Sequence, residues 1–298
     1  MLRRLVTDLA DVPGIAIDTV SDVDEGAMSA SRTHRIASPD EVRPLWRRLL
    51  TATDFFWPIA PESAGLLSSL VEMAHATGCR TFASDTRTIE IAASKTATAR
   101  CLAAHGIPCV PTLPVSNPVM DWSHGWVVKP DDGVGCECVA YLPTRDAVQR
   151  WRDRNPDSNH VIQPFIPGTP LSLSLLAQNG EAWLLTCNIQ DVRRDHVFSY
   201  HGGWTGGAEH RRNVLEPLAS RIAAAMPGLW GYVGIDLIDG ADGPVILEVN
   251  PRLTTSYVGL RASIDLNPAE LVLAMAETPL SRLRRPLSPR PIRVELRA

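Results

Sequence analysis

The sequence predicts an α/β fold of two or three packed units, in which a small parallel layer precedes a larger part rich in antiparallel hairpins. Three observations support this prediction. The chain has 298 residues, which is more than one typical domain of about 100–200 residues. Helix and strand patterns alternate over residues 1–90, which is typical of a parallel sheet. Further along, two pairs of strand patterns flank short turns, and strands joined in this way run antiparallel.

The first 90 residues carry the alternating patterns. An amphipathic opening helix places Leu2, Leu5 and Leu9 on one face. Gly78 follows a later helical pattern and is a typical helix terminator. The predicted elements are, in order, a helix ending near Pro13-Gly14, a strand over 15–17, a helix over 44–51, a strand over 54–60, a helix over 64–77 and a strand over 80–83.

Lysine is rare in this chain. Of 29 basic residues, only Lys95 and Lys129 are lysines. A compact ammonium can follow a phosphate as a point charge, whereas the guanidinium of arginine is a planar fork. Ser94 is a good N-cap for a helix that runs to His105, so Lys95 falls in its first turn. A cation is disfavoured there by about 0.3–1 kcal/mol, which predicts a bound anion. Chance retention of two lysines is the alternative.

Lys129 closes an apolar strand over residues 126–130 and precedes a glycine-bearing loop over 131–135. A buried ammonium needs a partner, because burial alone lowers its pKa or destabilises the fold. Gly133 and Gly135 let backbone N–H groups approach a ligand closely, as phosphate-binding loops do. An ordinary hairpin is the alternative. The elements predicted next are a strand over 138–142, a helix over 144–154 and a strand over 160–166.

The C-terminal part contains two predicted hairpins. Asn179-Gly180, a strong turn signal, joins strands over 171–177 and 182–189 in the first. A glycine-rich stretch over 200–207 has no periodicity and is predicted to be a mobile loop. A helix over 214–226 leads into the second hairpin.

The second hairpin carries the residues on which the functional prediction depends. With its turn centred on Asp242, Asp236 lies opposite Glu248. Glu248 and Asn250 share a face, because side chains alternate along a strand. Three oxygen-bearing side chains on apolar strands predict a hard cation, Mg²⁺ above all. Solvent-facing residues on an ordinary edge strand are the alternative. The two strands are predicted over 232–238 and 245–250.

A resemblance emerges from these motifs and from Arg252, whose guanidinium suits a phosphate or a carboxylate and stands beside the predicted cation. The capped helix with Lys95, the V-V-K-P run at Lys129, the Q-P-F-I-P-G strand and the closing E-V-N-P-R hairpin resemble the ATP-grasp superfamily over residues 54–275. The P-E-S-x-G-L-L stretch at 61–67, the run at 83–95 and the Gly-Gly pair near Gly202 are most similar to the tyramine–glutamate ligase group.

The resemblance implies an α/β and α+β protein in which two α+β lobes clamp ATP. The small lobe is expected over 91–166 and the large lobe over 167–298. A parallel α/β domain over 1–90, shorter than in relatives, precedes them in sequence. For ATP, the resemblance implies Lys95 and Lys129 at the phosphates, Gly133 and Gly135 in the loop, and Gln163, Pro164, Phe165 and Ile166 at the adenine. It implies one or two Mg²⁺, with Mn²⁺ as a substitute, on Asp236, Glu248 and Asn250. Lys129 and Arg252 are the catalytic groups that it implies.

The chemistry implied is activation of a carboxylate, as an acylphosphate, for attack by an amine. Glutamate and tyramine or tyrosine are the expected substrates. A regulatory ATP-binding protein and a ligase of another amino acid or peptide are the alternatives. Residues 133–135 and 202–207 are candidate lids. Three residues are left open as general base, namely His201, Glu209 and His210, and two as ribose ligands, namely Thr169 and Ser172.

Composition excludes several other classes of protein. A net charge of −4 leaves no general case for binding nucleic acid or an anionic membrane. No apolar run approaches the ~20 residues of a membrane helix, and Asp8 interrupts a signal-like start, so a cytoplasmic protein is expected. Six cysteines lack disulfide or zinc spacing. No G-x-G-x-x-G follows a strand, unlike in a Rossmann dehydrogenase.

The expected partners are small-molecule substrates, and a homodimer is left open. An arginine-rich C-terminal segment is interleaved with prolines, which predicts a solvated tail or an edge strand. An acidic partner for this segment is the alternative. Its arginines are Arg282, Arg284, Arg285, Arg290, Arg293 and Arg297.

Overall fold

The computed structural model contains three connected parts: an N-terminal part with two small parallel sheets, a middle part with a four-stranded sheet, and a C-terminal part with a six-stranded sheet. It describes residues 1–22, 32–119, 121–135, 138–156, 158–194 and 197–296. One of the six cysteines, Cys136, and Arg297 of the arginine-rich segment lie outside these residues. The five cysteines that it does describe are free.

The N-terminal part alternates helices and short strands, and its strand pairs β1–β2 and β3–β4 are parallel, as predicted. Its elements are α1 (Leu2–Ala10), β1 (Asp18–Asp22), β2 (Arg32–Ile36), α2 (Pro39–Leu50), β3 (Phe55–Phe56), a 3-10 turn (Ser63–Gly65), α3 (Leu66–Ala76), β4 (Arg80–Thr81) and α4 (Thr86–Ala93).

Three predicted boundaries in this part are wrong. The strand expected over 15–17 begins at Asp18, and the strand expected over 54–60 shortens to β3. The helix expected over 44–51 begins at Pro39, because proline is pre-set for a first helical position and the acidic residues that follow it suit a helix N-terminus.

The middle part is a four-stranded sheet in the order β5-β8-β6-β7, with every pair antiparallel. Ser94 caps the helix that begins at Lys95, as predicted, since its Oγ accepts a hydrogen bond from Ala97 N at 3.1 Å. The elements are α5 (Lys95–Ala104), β5 (Leu113–Pro114), β6 (Trp126–Pro130), β7 (Ala140–Leu142), α6 (Arg145–Arg154) and β8 (His160–Pro164).

The C-terminal part is a six-stranded sheet in the order β13-β12-β9-β10-β11-β14. Both predicted hairpins are present, and the end of the arginine-rich segment, with Arg293, forms the edge strand β14. The elements are β9 (Gly168–Gln178), β10 (Glu181–Arg194), β11 (Phe198–Thr205), a 3-10 turn (Glu209–Arg211), α7 (Arg212–Ala225), β12 (Gly231–Gly240), β13 (Gly243–Asn250), α8 (Tyr257–Ile264), α9 (Pro268–Ala274), α10 (Leu280–Leu283) and β14 (Ile292–Glu295).

The glycine-rich stretch over 200–207 is mostly strand, so its prediction as a mobile loop and a lid is wrong. Residues up to Thr205 belong to β11, which pairs with β10 and β14. A Cβ atom on Gly203 would lie 2.1 Å from the Ile189 carbonyl oxygen, and one on Gly202 equally close to that of Val294. The glycines therefore permit close approach of three strands rather than motion.

Helices cover both faces of the six-stranded sheet. On one face, leucines of β9 pack with Leu102 of α5 and Leu215 of α7. On the other face, Leu176 packs with α8, α9 and Leu5 of α1. The opening helix thus packs on the C-terminal part, although the sequence placed it in the N-terminal unit. Within the described residues, no helix combines the length and the apolar character that crossing a bilayer requires.

Candidate active site

The hairpin of β12 and β13 brings the predicted cation ligands together. Asp236 pairs directly with Glu248, which confirms the predicted register. Asn250 Nδ2 donates a hydrogen bond to Asp236 Oδ2 at 2.8 Å, and Gln190 Nε2 of β10 donates to Asp236 Oδ1 at 2.8 Å. Two strands therefore orient the Asp236 carboxylate toward Glu248.

The pKa values of the two carboxylates are shifted in opposite directions. Burial, together with the nearby charge of Glu248, raises the pKa of Asp236 to about 6. Burial alone would also raise the pKa of Glu248, but the ammonium groups of Lys129 and Lys95 lower it overall. Glu248 is thus held ionised, and Asp236 carries the cost of a second buried negative charge.

The two lysines converge on one carboxylate oxygen. Lys129 Nζ donates a hydrogen bond to Glu248 Oε1 at 2.7 Å, and Lys95 Nζ lies 3.8 Å from the same atom. The two lysine residues are only 7% and 6% exposed, respectively. Burial lowers the pKa of Lys95, and the charge of Glu248 partly offsets that effect. The rare lysines therefore occupy one charged cluster, although they lie 34 positions apart in sequence.

The glycine-bearing loop is attached to the start of α5. Lys95 Nζ donates hydrogen bonds to the Gly133 carbonyl at 2.7 Å and to the Asp131 carbonyl at 3.3 Å. Asp131 in turn accepts hydrogen bonds from Ser94 Oγ at 2.7 Å and Thr96 N at 2.8 Å. Burial would raise the pKa of Asp131, but these hydrogen bonds and Lys95 lower it. These hydrogen bonds therefore fix the loop over 131–135 to the N-terminus of α5.

Arg252 connects the hairpin to the N-terminal part. Its Nε donates a hydrogen bond to Glu62 Oε2 at 2.8 Å, and its Nη1 donates to the Leu253 carbonyl at 3.2 Å. Glu62 lies in the turn after β3 and is 4% exposed. A buried ion pair therefore joins the end of β13 to the P-E-S stretch.

Every site residue that the resemblance assigned to ATP, the cation or catalysis lines one of two adjoining cavities. The larger has a volume of about 400 Å³ and is lined by Lys129, Gly135, Gln163, Pro164, Phe165, Ile166, Asp236, Glu248, Asn250 and Arg252. The smaller shares Glu248 and Asn250 with it and is also lined by Lys95, Gly133 and Glu62. Of the two residues considered for ribose, Ser172 lines the larger cavity and Thr169 does not.

The far end of the larger cavity is aromatic. The Arg194 guanidinium carbon lies 4.4 Å from the centre of the Tyr141 ring and 4.5 Å from that of Phe165. Tyr141 belongs to β7 and Arg194 to β10, so this cation–π contact joins the middle and C-terminal sheets. Phe198 packs against Phe165 with ring centres 6.5 Å apart.

The residues left open as general base lie elsewhere, since none of them lines either cavity. Glu209 Oε1 accepts a hydrogen bond from Cys187 N at 2.7 Å, and its Oε2 accepts one from Arg212. His201 Nε2 lies 2.9 Å from Ser199 Oγ. Glu209 therefore has a structural role at the start of α7.

Sequence reasoning did not select four residues that contact the site: Glu62, Tyr141, Gln190 and Arg194. Glu62 lies in a stretch that entered only through a family resemblance. Gln190 and Arg194 lie beyond the strand predicted over 182–189, which continues to Arg194 in the structure. No local signal in the sequence indicates that these side chains meet the hairpin or the aromatic end.

The donor set of the hairpin suits a hard divalent cation. Carboxylate and amide oxygens are the ligands that such ions prefer. The raised pKa of Asp236 indicates that burial and the charge of Glu248 outweigh the groups that stabilise its ionised form. No group of three or more His, Cys, Asp and Glu side chains suited to a metal occurs in the described part of the chain. The candidate site therefore consists of two carboxylates and one amide.

Two family models match the chain. A model of the ATP-grasp domain matches residues 92–256, which is more than half of the chain. A model of the pre ATP-grasp 3 domain matches residues 16–89. The two matched ranges contain all of the predicted site residues.

Curated proteins and solved structures agree with these models. The chain is 25% identical to tyramine–L-glutamate ligase of Methanocaldococcus jannaschii over 248 residues, which is 81% of this chain and 70% of the relative. A protein of Archaeoglobus fulgidus assigned to the ATP-grasp superfamily is 26% identical, with a TM-score of 0.63 over 82% of this chain and 76% of that one.

The L-amino acid ligase of Bacillus licheniformis, 18% identical, shares the fold, with a TM-score of 0.73 over 93% of this chain and 72% of its own. The chain therefore belongs to the ATP-grasp family, as a carbon–nitrogen ligase similar to the tyramine–L-glutamate ligases.

Proposed function

We propose that this protein is an ATP-dependent ligase that joins the carboxylate of an amino acid to a small amine such as tyramine or tyrosine. Glutamate is the first candidate for the amino acid. The observation that carries the proposal is the convergence of Lys95 and Lys129 on Glu248, opposite Asp236, where the two cavities adjoin. The names of two relatives, both tyramine–L-glutamate ligases, support these substrates.

The charged cluster is suited to a triphosphate. Lys95 and Lys129 would exchange their contacts with Glu248 and the loop carbonyls for phosphate oxygens. Backbone N–H groups around Gly133 and Gly135 would approach the same anion. The backbone of residues 163–166 would contact the adenine edge at the other end of the cavity.

Asp236, Glu248 and Asn250 would hold one or two Mg²⁺ ions, and their oxygen atoms would also accept Mn²⁺. When bound, the cation neutralises negative charge on the phosphates as the γ-phosphoryl group moves. Gln190 supports the site by fixing the Asp236 carboxylate. Two rigid strands position these ligands, which keeps the site ready for the cation.

The proposed reaction has two steps, phosphorylation of the carboxylate and attack of the amine on the acylphosphate. A carboxylate oxygen attacks the γ-phosphorus of ATP, so that the bond to the β-phosphate oxygen breaks and ADP leaves. The amine nitrogen then attacks the carbonyl carbon of the acylphosphate, phosphate leaves, and the nitrogen loses a proton. Arg252 and Lys129 would stabilise the charge on the transferred group, and the loop over 131–135 would exclude water.

Product analysis tests the proposal. Purified protein with Mg²⁺, ATP, glutamate and a panel of amines should release ADP and phosphate in step with an amide that mass spectrometry identifies. Omission of either the acid or the amine should reduce ADP release to background. Binding of ATP without ADP release for any acid–amine pair would contradict the proposal and favour a regulatory ATP-binding protein.

A further inference from the structure

Glu62 belongs to a turn that the chain holds in an unusual conformation. Ala64 has a φ of 53° and Gly65 a φ of 64°, so two successive residues adopt left-handed backbone. Ala64 N donates a hydrogen bond to Asp132 Oδ2 at 2.8 Å, which fixes the turn against the loop over 131–135. The turn is therefore held in place by the proposed phosphate-binding loop.

The carboxylate of Glu62 is only half satisfied. Its Oε2 accepts a hydrogen bond from Arg252 Nε at 2.8 Å. Its Oε1 is buried and has no hydrogen-bond partner among the described residues. A buried acceptor without a donor typically costs about 1–3 kcal/mol. Burial raises the pKa of Glu62, and the charge of Arg252 offsets only part of that effect.

The unsatisfied oxygen belongs to a residue that lines the smaller cavity, together with Lys95, Glu248 and Asn250. Glu248 and Asp132 are the other carboxylates in this wall: Glu248 is already paired with Lys129, and Asp132 accepts the hydrogen bond from Ala64 N. Lys95 points its ammonium to Gly133 and Glu248. Among the described residues Glu62 Oε1 is therefore left without a donor, and a bound molecule can supply one.

We propose that Glu62 Oε1 binds the ammonium group of an amino-acid substrate whose carboxylate is activated beside Arg252. This inference rests on the proposed function, since it concerns the acid that the enzyme phosphorylates. It adds that this amino acid is recognised through its nitrogen, and that the P-E-S turn supplies the recognition.

The charges at this position match an amino acid better than a simple acid. Arg252 and Glu62 place a guanidinium and a carboxylate side by side at 2.8 Å, and an amino acid carries the complementary carboxylate and ammonium. A simple acid would leave Glu62 Oε1 without a donor. Sites built to bond a polar group reject an analogue that lacks it far more strongly than a hydrophobic pocket rejects a missing methylene.

The test compares amino acids with their deaminated analogues, for example L-glutamate with glutarate. Calorimetric titrations into protein with Mg²⁺ and a non-hydrolysable ATP analogue give the two dissociation constants without turnover. Wild-type protein should prefer one amino acid of the panel to its analogue at least tenfold. Glu62→Gln should reduce that preference about tenfold or more, while affinity for the analogue changes less than about twofold.

Glutamine retains an oxygen that accepts from Arg252 but loses the negative charge, so the variant separates recognition from support of Arg252. Glu209→Gln is the matched control, because Glu209 also pairs with an arginine, Arg212 at 2.7 Å, away from the cavities. It should leave the preference unchanged.

ADP release, measured on the same samples, separates this inference from the proposed function. Preference for the amino acid that is lost in Glu62→Gln supports the inference even if no ADP forms, in which case only the proposed function fails. Equal loss of affinity for both acids in Glu62→Gln, or binding of no amino acid to wild-type protein, would overturn the inference.

Discussion

The two ends of the larger cavity are built differently. At the charged end, ionic groups pair with one another, as Lys129 does with Glu248 and Arg252 with Glu62. At the aromatic end, an exposed guanidinium lies against two rings and has no carboxylate partner among the described residues. The charged end consists of Lys129, Asp236, Glu248 and Arg252, with Lys95 in the adjoining smaller cavity. The aromatic end consists of Phe165, Arg194 and Phe198, with Tyr141 packed against Arg194.

This difference indicates how each end would respond to substitution. Removal of one partner at the charged end leaves a buried charge uncompensated, which is costly and alters the field at the reacting phosphate. Removal of the guanidinium at the aromatic end takes away a contact worth about 0.5–1 kcal/mol. Changes at the charged end should therefore affect turnover, and changes at the aromatic end should affect affinity.

The largest effect is expected for Glu248→Gln. This variant removes the charge that both lysines share and one proposed cation ligand. We expect ADP release to fall on the order of 10²–10³-fold, a loss typical of one electrostatic group at a reacting centre. Steady-state assays with Mg²⁺ and ATP measure it, and Glu209→Gln is the control. Turnover within threefold of wild type would show that the charged end is not the reacting end.

Asp236→Asn should stabilise the protein while it impairs cation binding. Because the pKa of Asp236 is about 6 in the folded state, against 3.8 for an ordinary aspartate, the folded protein binds this proton more tightly than the unfolded chain. Stability therefore falls as pH rises from about 4 to about 6, by up to about 3 kcal/mol.

The NH2 group of the new asparagine requires the amide of Asn250 or Gln190 to turn its oxygen inward. With the charge removed and that amide turned, we expect the free energy of unfolding at pH 8 in EDTA to increase by about 1–3 kcal/mol, and the difference to shrink toward pH 4. Urea unfolding measures both values. Asp239→Asn is the control on the same strand, because Asp239 pairs with Arg211 at 2.8 Å. A loss of stability in Asp236→Asn at pH 8 would contradict the assignment of buried repulsion.

The smallest effect is expected at the aromatic end. Arg194→Ala should raise the KM for ATP about two- to fivefold with little change in kcat, since one exposed cation–π contact is lost. Arg293→Ala removes a comparable contact with Trp204, at 5.0 Å, away from the cavities and should leave KM unchanged. A change in kcat alone for Arg194→Ala would remove the distinction between the two ends.

Local patterns predict the elements that carry the charged end. Alternation of side chains and a clear turn fix the register of Asp236 against Glu248, because a slip of one residue would turn the apolar positions outward. Ser94 marks the start of α5 by its capping hydroxyl, which also fixes the place of Lys95.

Contacts between distant segments are not predictable in this way. The bond of Arg252 to Glu62 spans 190 positions, and it depends on how the N-terminal part packs on the hairpin. Arg194 meets Tyr141 because two sheets approach each other. The glycines of β11 resemble a loop in sequence, yet sheet packing requires them, since a side chain at Gly203 would meet a backbone carbonyl. Local propensity is overruled by such packing.

A crystal structure of the complex with Mg²⁺ and a non-hydrolysable ATP analogue tests the central claim most directly. The account predicts the cation bound to Asp236 and Glu248, with Lys95 and Lys129 moved from Glu248 to phosphate oxygens. A triphosphate bound elsewhere, with the contact of Lys129 to Glu248 intact at 2.7 Å, would contradict it.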